Sequence, residues 1–600
     1  MAANSIQKRE EIDNEYKWNL DNIYADEKLW EEDFNLVKKL GEEISQLKGK
    51  LSASAEILLK TLQLSDELGK KSEKIYVYAR MRRDENNADS HYQALCDRAE
   101  AVNIQVGSIT AFIVPEILSI PTADLESYVN SNQELLLYKH SIDEILRQKE
   151  HILSPEEEKL LAMSADLSMA SRNIFTMLNN ADIKFPVLKD EEGQEVELTK
   201  GRYGSFMESP DRRFRQDAFR GLYDSYRKLI NTMGASLSSS IKKDIFYARV
   251  RKYGSALEAS LDGDDVPIIV YERLIETVHA HLDLMYRYMA IRKRLLGLDE
   301  LHFYDIYTPL VPEYKLAIPY DKAREMVMEA LQVLGADYIS HVKEGFDNGW
   351  IDVYENEGKT SGAYSWGSYE TNPYVLMNYD NKLDDVFTLA HEMGHSLHSW
   401  YSNHSQPYVY SQYSIFVAEV ASTVNESLLI DYLLQNSKDK QEKIYLINHY
   451  LEQFRGTVFR QTMFAEYEKL IHERVEQDGA LTPEVLKQIY RDLNKLYYGD
   501  NIVMDEEIEL EWARIPHFYS AFYVYKYATG FSTATALKEQ ILREGQPAVE
   551  RYLQFLKSGS SDYPIQLLQK AGVDLLTPQP VEDALRYFGK LLDELEDLVQ

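Results

Sequence analysis

Apolar residues recur every three or four positions through most of the chain, inside segments dominated by Glu, Lys, Leu, Ala, Gln and Arg. That spacing predicts a mostly helical protein. Helix starts are expected at Ser154-Pro155, Ser209-Pro210, Thr482-Pro483 and Thr577-Pro578. Each pair sets a capping hydroxyl before a proline whose missing N–H costs nothing at the first helical position. Two regions break the pattern. Phe185 to Leu198, with Asp190 to Gly193 between two apolar runs, predicts a hairpin that closes an N-terminal helical region (1–200) before a larger region (201–600). Gly362 to Tyr379 is rich in aromatic, β-branched and small residues around Asn372-Pro373, and predicts two short strands. No internal repeat or low-complexity tract interrupts the rest.

The helix expected just after those strands carries the most informative chemistry. Fourteen histidines are spread over the chain, yet four lie between His391 and His404. The segment His391-Glu392-Met393-Gly394-His395 puts two imidazoles one turn apart on one helical face, where both can reach a single ion. Glu392 then stands beside that ion without binding it, placed to take a proton from a water held there. Leu383, Val386, Phe387, Ala390, Gly394 and Leu397 form an apolar stripe that would bury the helix. His398 lies one turn further on and reads either as support for a ligand or as a core histidine; His404 reads as a loop residue.

Two histidines leave a third ligand to be found. The zinc class with a third histidine six residues on needs Gly at 398 and His at 401, and the chain has His398 and Tyr401. A carboxylate from another helix is the alternative. Tyr413 to Leu429 reads as such a helix, with Glu419, Ser422 or Thr423, and Glu426 on one face. An acidic residue among small and apolar neighbours is costly to bury unless it meets a cation. Glu419 is the better ligand, and Glu426 is suited to orient a ligand imidazole. Gly358-Lys359-Thr360 mimics the end of a phosphate loop, but Val353 stands where that motif needs glycine.

Composition narrows the class. With 44% hydrophobic and 27% charged residues, the 600-residue chain is an ordinary globular sequence. The net charge of −32 argues against a nucleic-acid partner. It fits either a solvated acidic surface or a negative interior that attracts cationic peptides or a divalent metal. Apolar stretches such as Ala111–Pro115 look too short to span a bilayer, so no membrane association is expected. No secretory signal is read in Met1 to Glu11, and Cys96 alone can form neither a disulfide within the chain nor a cysteine metal site. The expected compartment is the cytoplasm.

Together, His391-Glu-Met-Gly-His395, Glu419-Val-Ala-Ser-Thr-Val-Asn-Glu426 and Ile515-Pro-His517-Phe-Tyr519-Ser-Ala-Phe-Tyr523-Val-Tyr525-Lys-Tyr527 resemble the thimet-type zinc oligopeptidases, most closely the bacterial oligoendopeptidase F branch. The resemblance implies a large helical zincin-type metallopeptidase with a small β-sheet beside the zinc helix and a deep internal cleft. It implies one zinc per chain on His391, His395 and Glu419, with Glu392 as general base and short peptides as substrates. It also implies a late histidine and tyrosines that bind the reacting carbonyl. His517 takes the first role. Among the tyrosines, Tyr519, Tyr523 and Tyr527 would share one helical face, and Tyr519 and Tyr523 are favoured. A helical zinc carboxypeptidase is the alternative, with Arg514 as the clamp for a terminal carboxylate. A non-catalytic peptide binder fits less well, because it needs neither Glu392 nor Glu419.

Overall fold

The computed structural model describes residues 6–311 and 317–600. Met1 to Ser5, the start of the segment read above for a secretory signal, lie outside them. The protein is mostly helical, with a few small sheets. Both interruptions of the helical pattern are β-structure. Strands β1 (Val187–Lys189) and β2 (Glu195–Glu197) form an antiparallel hairpin, turned through Gly193 at φ +81°. The second interruption belongs to a three-stranded sheet of β3 (Ile351–Asp352), β4 (Tyr364–Trp366) and β5 (Tyr374–Leu376). The central strand, β5, pairs parallel with β3 and antiparallel with β4, leaving β4 at an edge. The sequence pattern did not reveal β3, because two residues carry no readable alternation.

Two compact units make up the chain, each assembled from three segments. One comprises Met1–Lys149, Lys315–Tyr432 and Leu537–Gly572; the other comprises Glu150–Tyr314, Leu433–Ala536 and Val573–Gln600. In the first, α1 (Glu27–Ser45), α2 (Ala55–Glu85) and α3 (Ser90–Thr110) form a helical layer. Asp26 and Ser54 cap α1 and α2, accepting from the N–H groups of Leu29 and Ile57. Trp30, Phe34, Val37 and Ile44 recur along α1 at spacings of three, four and seven, and pack with Leu68, Ile75 and Met81 of α2 and Leu95, Ala99 and Val102 of α3. Tyr374 and Leu376 of β5 join the same core, so the sheet is seated on the helices.

Some local expectations need correction. Ser154 and Thr482 cap helices as read, each accepting from the N–H three residues on. After Ser209-Pro210, however, Asp211 is the cap, because its carboxylate reaches the N–H groups of both Arg213 and Phe214. Thr577 caps nothing: its hydroxyl donates to the carbonyl of Asp574, and the helix begins at Gln579. The apolar stretch was also underestimated. Ser90–Ser119 is long and apolar enough to cross a membrane by length and composition alone. Here its inner face packs in the helical layer, through Leu95, Cys96, Ala99 and Val102.

Candidate metal centre

The helix α4 (Leu383–Ser405) positions the two histidines. Its start is fixed by Asp385, whose Oδ2 accepts from the N–H groups of Asp380 and Lys382 at 2.8 and 2.9 Å. The predicted stripe from Leu383 to Leu397 is buried, which fixes the helix rotation. The second helix, α5 (Ala418–Asn436), starts five residues later than the sequence pattern suggested, because Tyr413 to Val417 are not helical. Glu419 therefore lies in the first turn, where the helix dipole favours a carboxylate.

Gly394 brings the two helices together. A Cβ there would meet the Cα of Ser422 at 2.5 Å and the carbonyl oxygen of Ala421 at 2.7 Å, so only glycine allows this approach. Asn425 braces the contact, donating from Nδ2 to the carbonyl of Ala390 at 3.0 Å while accepting from Tyr338 Oη at 3.0 Å. From the other side, Ser365 of β4 meets Ser396 of α4, Oγ to Oγ, at 2.8 Å. The helix α4 and the sheet are thus joined directly.

These contacts bring His391, His395 and Glu419 into a group that could hold a metal ion. His391 Nε2 and His395 Nε2 are 3.2 Å apart, and Glu419 Oε2 lies 3.3 and 3.4 Å from them. Ligand atoms at about 2.0–2.1 Å around a tetrahedral zinc stand about 3.3 Å from one another. The triangle has the size of one face of such a tetrahedron, and the donor set of two imidazoles and a carboxylate suits zinc. The second nitrogen of His391, Nδ1, pairs with Glu426 Oε1 at 2.5 Å, which fixes the ring so that Nε2 faces Glu419. Ser422 Oγ donates to Glu419 Oε2 at 3.1 Å and steadies the carboxylate.

The electrostatics follow from this crowding. Burial alone would lower the pKa of His391, but hydrogen bonds to Glu419 and Glu426 override it and raise the imidazole to about 10. Burial works against the charge on Glu419 too, and the two imidazoles more than offset it, holding the carboxyl well below its usual range. Burial pushes Glu392 up, reinforced by Glu419 and Glu426 and opposed by His391 and His395. Glu392 is 6% exposed, and its Oε2 has no hydrogen-bond partner among the described residues. A buried carboxylate oxygen left unpaired beside a ligand triangle suits a proton acceptor.

The remaining candidates fall on either side of the expectation. His398 is fully buried, with its ring 3.7 Å from that of Tyr413 and nearly parallel to it. Burial, aided by His395, lowers it to about 3, so it packs as a neutral ring. His404 sits in the last turn of α4 rather than in a loop, with Nδ1 against the carbonyl of Trp400. In the second unit, the tyrosine segment is not the continuous helix assumed from the sequence. Pro516–Tyr519 is a short 3₁₀ turn, Phe522 adopts φ +54°, and the helix begins only at Tyr525. Tyr519 is consequently turned inward, 6% exposed and stacked on Phe175 with ring centroids 4.4 Å apart. Tyr525 is buried against Tyr271. The structure groups His517 with Tyr523 and Tyr527, at centroid distances of 6.3, 6.0 and 5.5 Å around the trio. Burial, with a contribution from Arg460, lowers the pKa of His517. Arg514 is engaged by Glu511 at 2.5 Å.

Sequence reasoning missed Gly394 as a packing device and Asn425 as a brace. A glycine inside a helix costs about 1 kcal/mol relative to alanine, and that cost was the available signal of a close approach.

Comparison with known proteins shows the family. The profile of peptidase family M3 matches residues 205–587, and that of Oligopeptidase F matches 116–185. The chain is 50% identical to Oligopeptidase PepF of Bacillus subtilis (strain 168), covering 100% of this chain and 89% of that one. The crystal structure of oligoendopeptidase-F from Enterococcus faecium is 38% identical with a TM-score of 0.74, over 96% of this chain and 99% of that one. A crystal structure of a protein from Chlamydophila abortus is 34% identical with a TM-score of 0.92, over 99% of this chain and 100% of that one.

Proposed function

The chain belongs to peptidase family M3, and from that membership we propose that it hydrolyses internal bonds of short peptides, using one zinc ion held by His391, His395 and Glu419. The single observation that carries the reading is the ligand triangle with edges of 3.2, 3.3 and 3.4 Å. When bound, zinc supplies a Lewis acid that polarises the peptide carbonyl and makes water a nucleophile near neutral pH.

The chain's own residues do the rest. Glu392 takes the proton of the attacking water on its unpaired Oε2 and passes it to the leaving amine, a role typically worth about 10²–10⁴-fold. Glu426 holds His391 in the tautomer that leaves Nε2 free to bind, and Ser422 holds Glu419. The free edge of β4 offers backbone groups to an extended peptide. Gly367, beside that edge, is explained by its own chain, since a Cβ there would meet the carbonyl oxygen of Asn372 at 2.6 Å. The resemblance gives a late histidine and tyrosines the role of binding the reacting carbonyl, and His517, Tyr523 and Tyr527, grouped within the second unit, are the candidates for it; a donor of that kind is worth roughly 2.7–4 kcal/mol. Tyr519 is left out because its ring is committed to Phe175. The carboxypeptidase alternative loses its clamp, since Arg514 already pairs with Glu511.

An internally quenched peptide amidated at its C-terminus tests the reading. Wild type is expected to cut it, and Glu392→Gln to lose about 10²–10⁴-fold in kcat while keeping its zinc. An uncut amidated peptide, or full activity in Glu392→Gln, would refute the mechanism.

A further inference from the structure

A cavity of about 440 Å³ in the first unit runs from the edge strand β4 along α4, lined by Glu73 and Tyr76 of α2, Ser365, Trp366, Ser399, Tyr413 and Ala418 among others. Its position relative to the metal centre follows from helix geometry. His391, His395 and Ser399 recur at i, i+4 and i+8 and share one face of α4. Ser399 thus lies about 6 Å along the axis from His395. On the other helix, Ala418 is the neighbour of Glu419. A peptide paired along β4 advances about 3.3 Å per residue, so side chains close to the cleaved bond come within reach of this cavity.

The lining has a definite chemical character. Rings of Tyr76, Trp366 and Tyr413 form much of the wall. Glu73 is the one acidic side chain among the lining residues, and no Lys or Arg accompanies it. Its Oε1 accepts from Tyr408 Oη at 2.7 Å, while Oε2 is buried without a hydrogen-bond partner among the described residues. Burial pushes the Glu73 carboxyl up, against the hydrogen bond from Tyr408, and a charged donor brought alongside would both satisfy the unpaired oxygen and favour its anionic form. Aromatic rings in the same lining can attract a cation as well.

We propose that this cavity is a side-chain subsite selecting a basic residue, Arg or Lys, of the peptide substrate, with Glu73 as the specificity-determining group. The inference rests on the peptidase reading above and adds a substrate class to it. Quenched peptides that differ only in carrying Arg, norleucine or Glu at each position flanking the cleaved bond provide the test. Wild type is expected to favour Arg over norleucine at one position by about tenfold in kcat/KM, as one charge-assisted hydrogen bond would give. Glu73→Gln should bring that ratio close to one, and Glu73→Lys should shift the preference towards Glu. Ratios within one variant cancel any general loss of stability or metal. Cleavage without an Arg preference at any position, or a preference that survives Glu73→Gln, overturns this inference alone. No hydrolysis of any peptide by wild type overturns both it and the peptidase reading.

Discussion

Replacing Gly394 with alanine tests whether helix packing sets the metal geometry. The added Cβ would stand 2.5 Å from Ser422 Cα, 2.7 Å from the oxygen of Ala421 and 2.8 Å from the nitrogen of Ser422. All three are backbone atoms, so no side chain can swing aside. Ordinary contact begins at 3.4 Å, so α5 must retreat by roughly 1 Å, at an overpacking cost of about 1–3 kcal/mol. Glu419 lies three residues before Ser422, less than one turn away, and moves with it. Zinc–ligand distances in real sites keep to within about 0.2 Å of their ideal values, so a shift of that size or more strains the site. Zinc affinity measured by chelator competition should therefore fall by at least about tenfold, and peptide hydrolysis should fall with it at limiting zinc. Gly107→Ala in α3 is the control: its Cβ meets nothing within 4 Å, and alanine favours the helix by about 1 kcal/mol. Gly394→Ala with wild-type zinc affinity and helix content would refute the claim that this approach fixes Glu419.

Glu426→Gln removes the charge that orients His391, and zinc affinity should drop about 10–100-fold; an unchanged affinity by competition would show that the 2.5 Å contact does not matter for binding. Zinc binding should also release about one proton from His391, because its pKa in the metal-free protein is raised to about 10. Affinity should accordingly climb about tenfold per pH unit between pH 7 and 9, and calorimetry in buffers of different ionisation enthalpy checks the proton count. For the metal-free protein the sign reverses: the raised pKa stabilises the fold below pH 6.5, and that contribution is lost as pH rises towards about 10.

The group that could hold a metal was legible because its signal is local. His391 and His395 need only a helix to converge, and Glu419 and Glu426 declare themselves as acids in a run of small and apolar residues. The buried stripe on α4 and the strands β4 and β5 were legible for the same reason, since each rests on a short period. The tyrosine segment failed because a helical period was assumed where the backbone turns. Phe522 at φ +54°, its N–H held by the buried Glu468 at 3.1 Å, is a tertiary arrangement that no spacing reveals. Likewise, a compact unit assembled from three separated segments leaves no mark on the linear pattern. Asn425 and Gly394 owe their roles to a neighbouring helix, and only the oddity of a helical glycine between two histidines hinted at it.

X-ray absorption at the zinc edge, on protein loaded with one equivalent of metal and compared with Glu419→Ala, addresses the convergence of the three side chains directly. The expected wild-type spectrum has only nitrogen and oxygen neighbours at about 2.0–2.1 Å, with outer scattering from two imidazole rings. The variant should lose an oxygen neighbour and bind zinc more weakly. A chain that binds no zinc, a spectrum without imidazole scattering, or identical spectra and affinities for the two proteins would contradict the account.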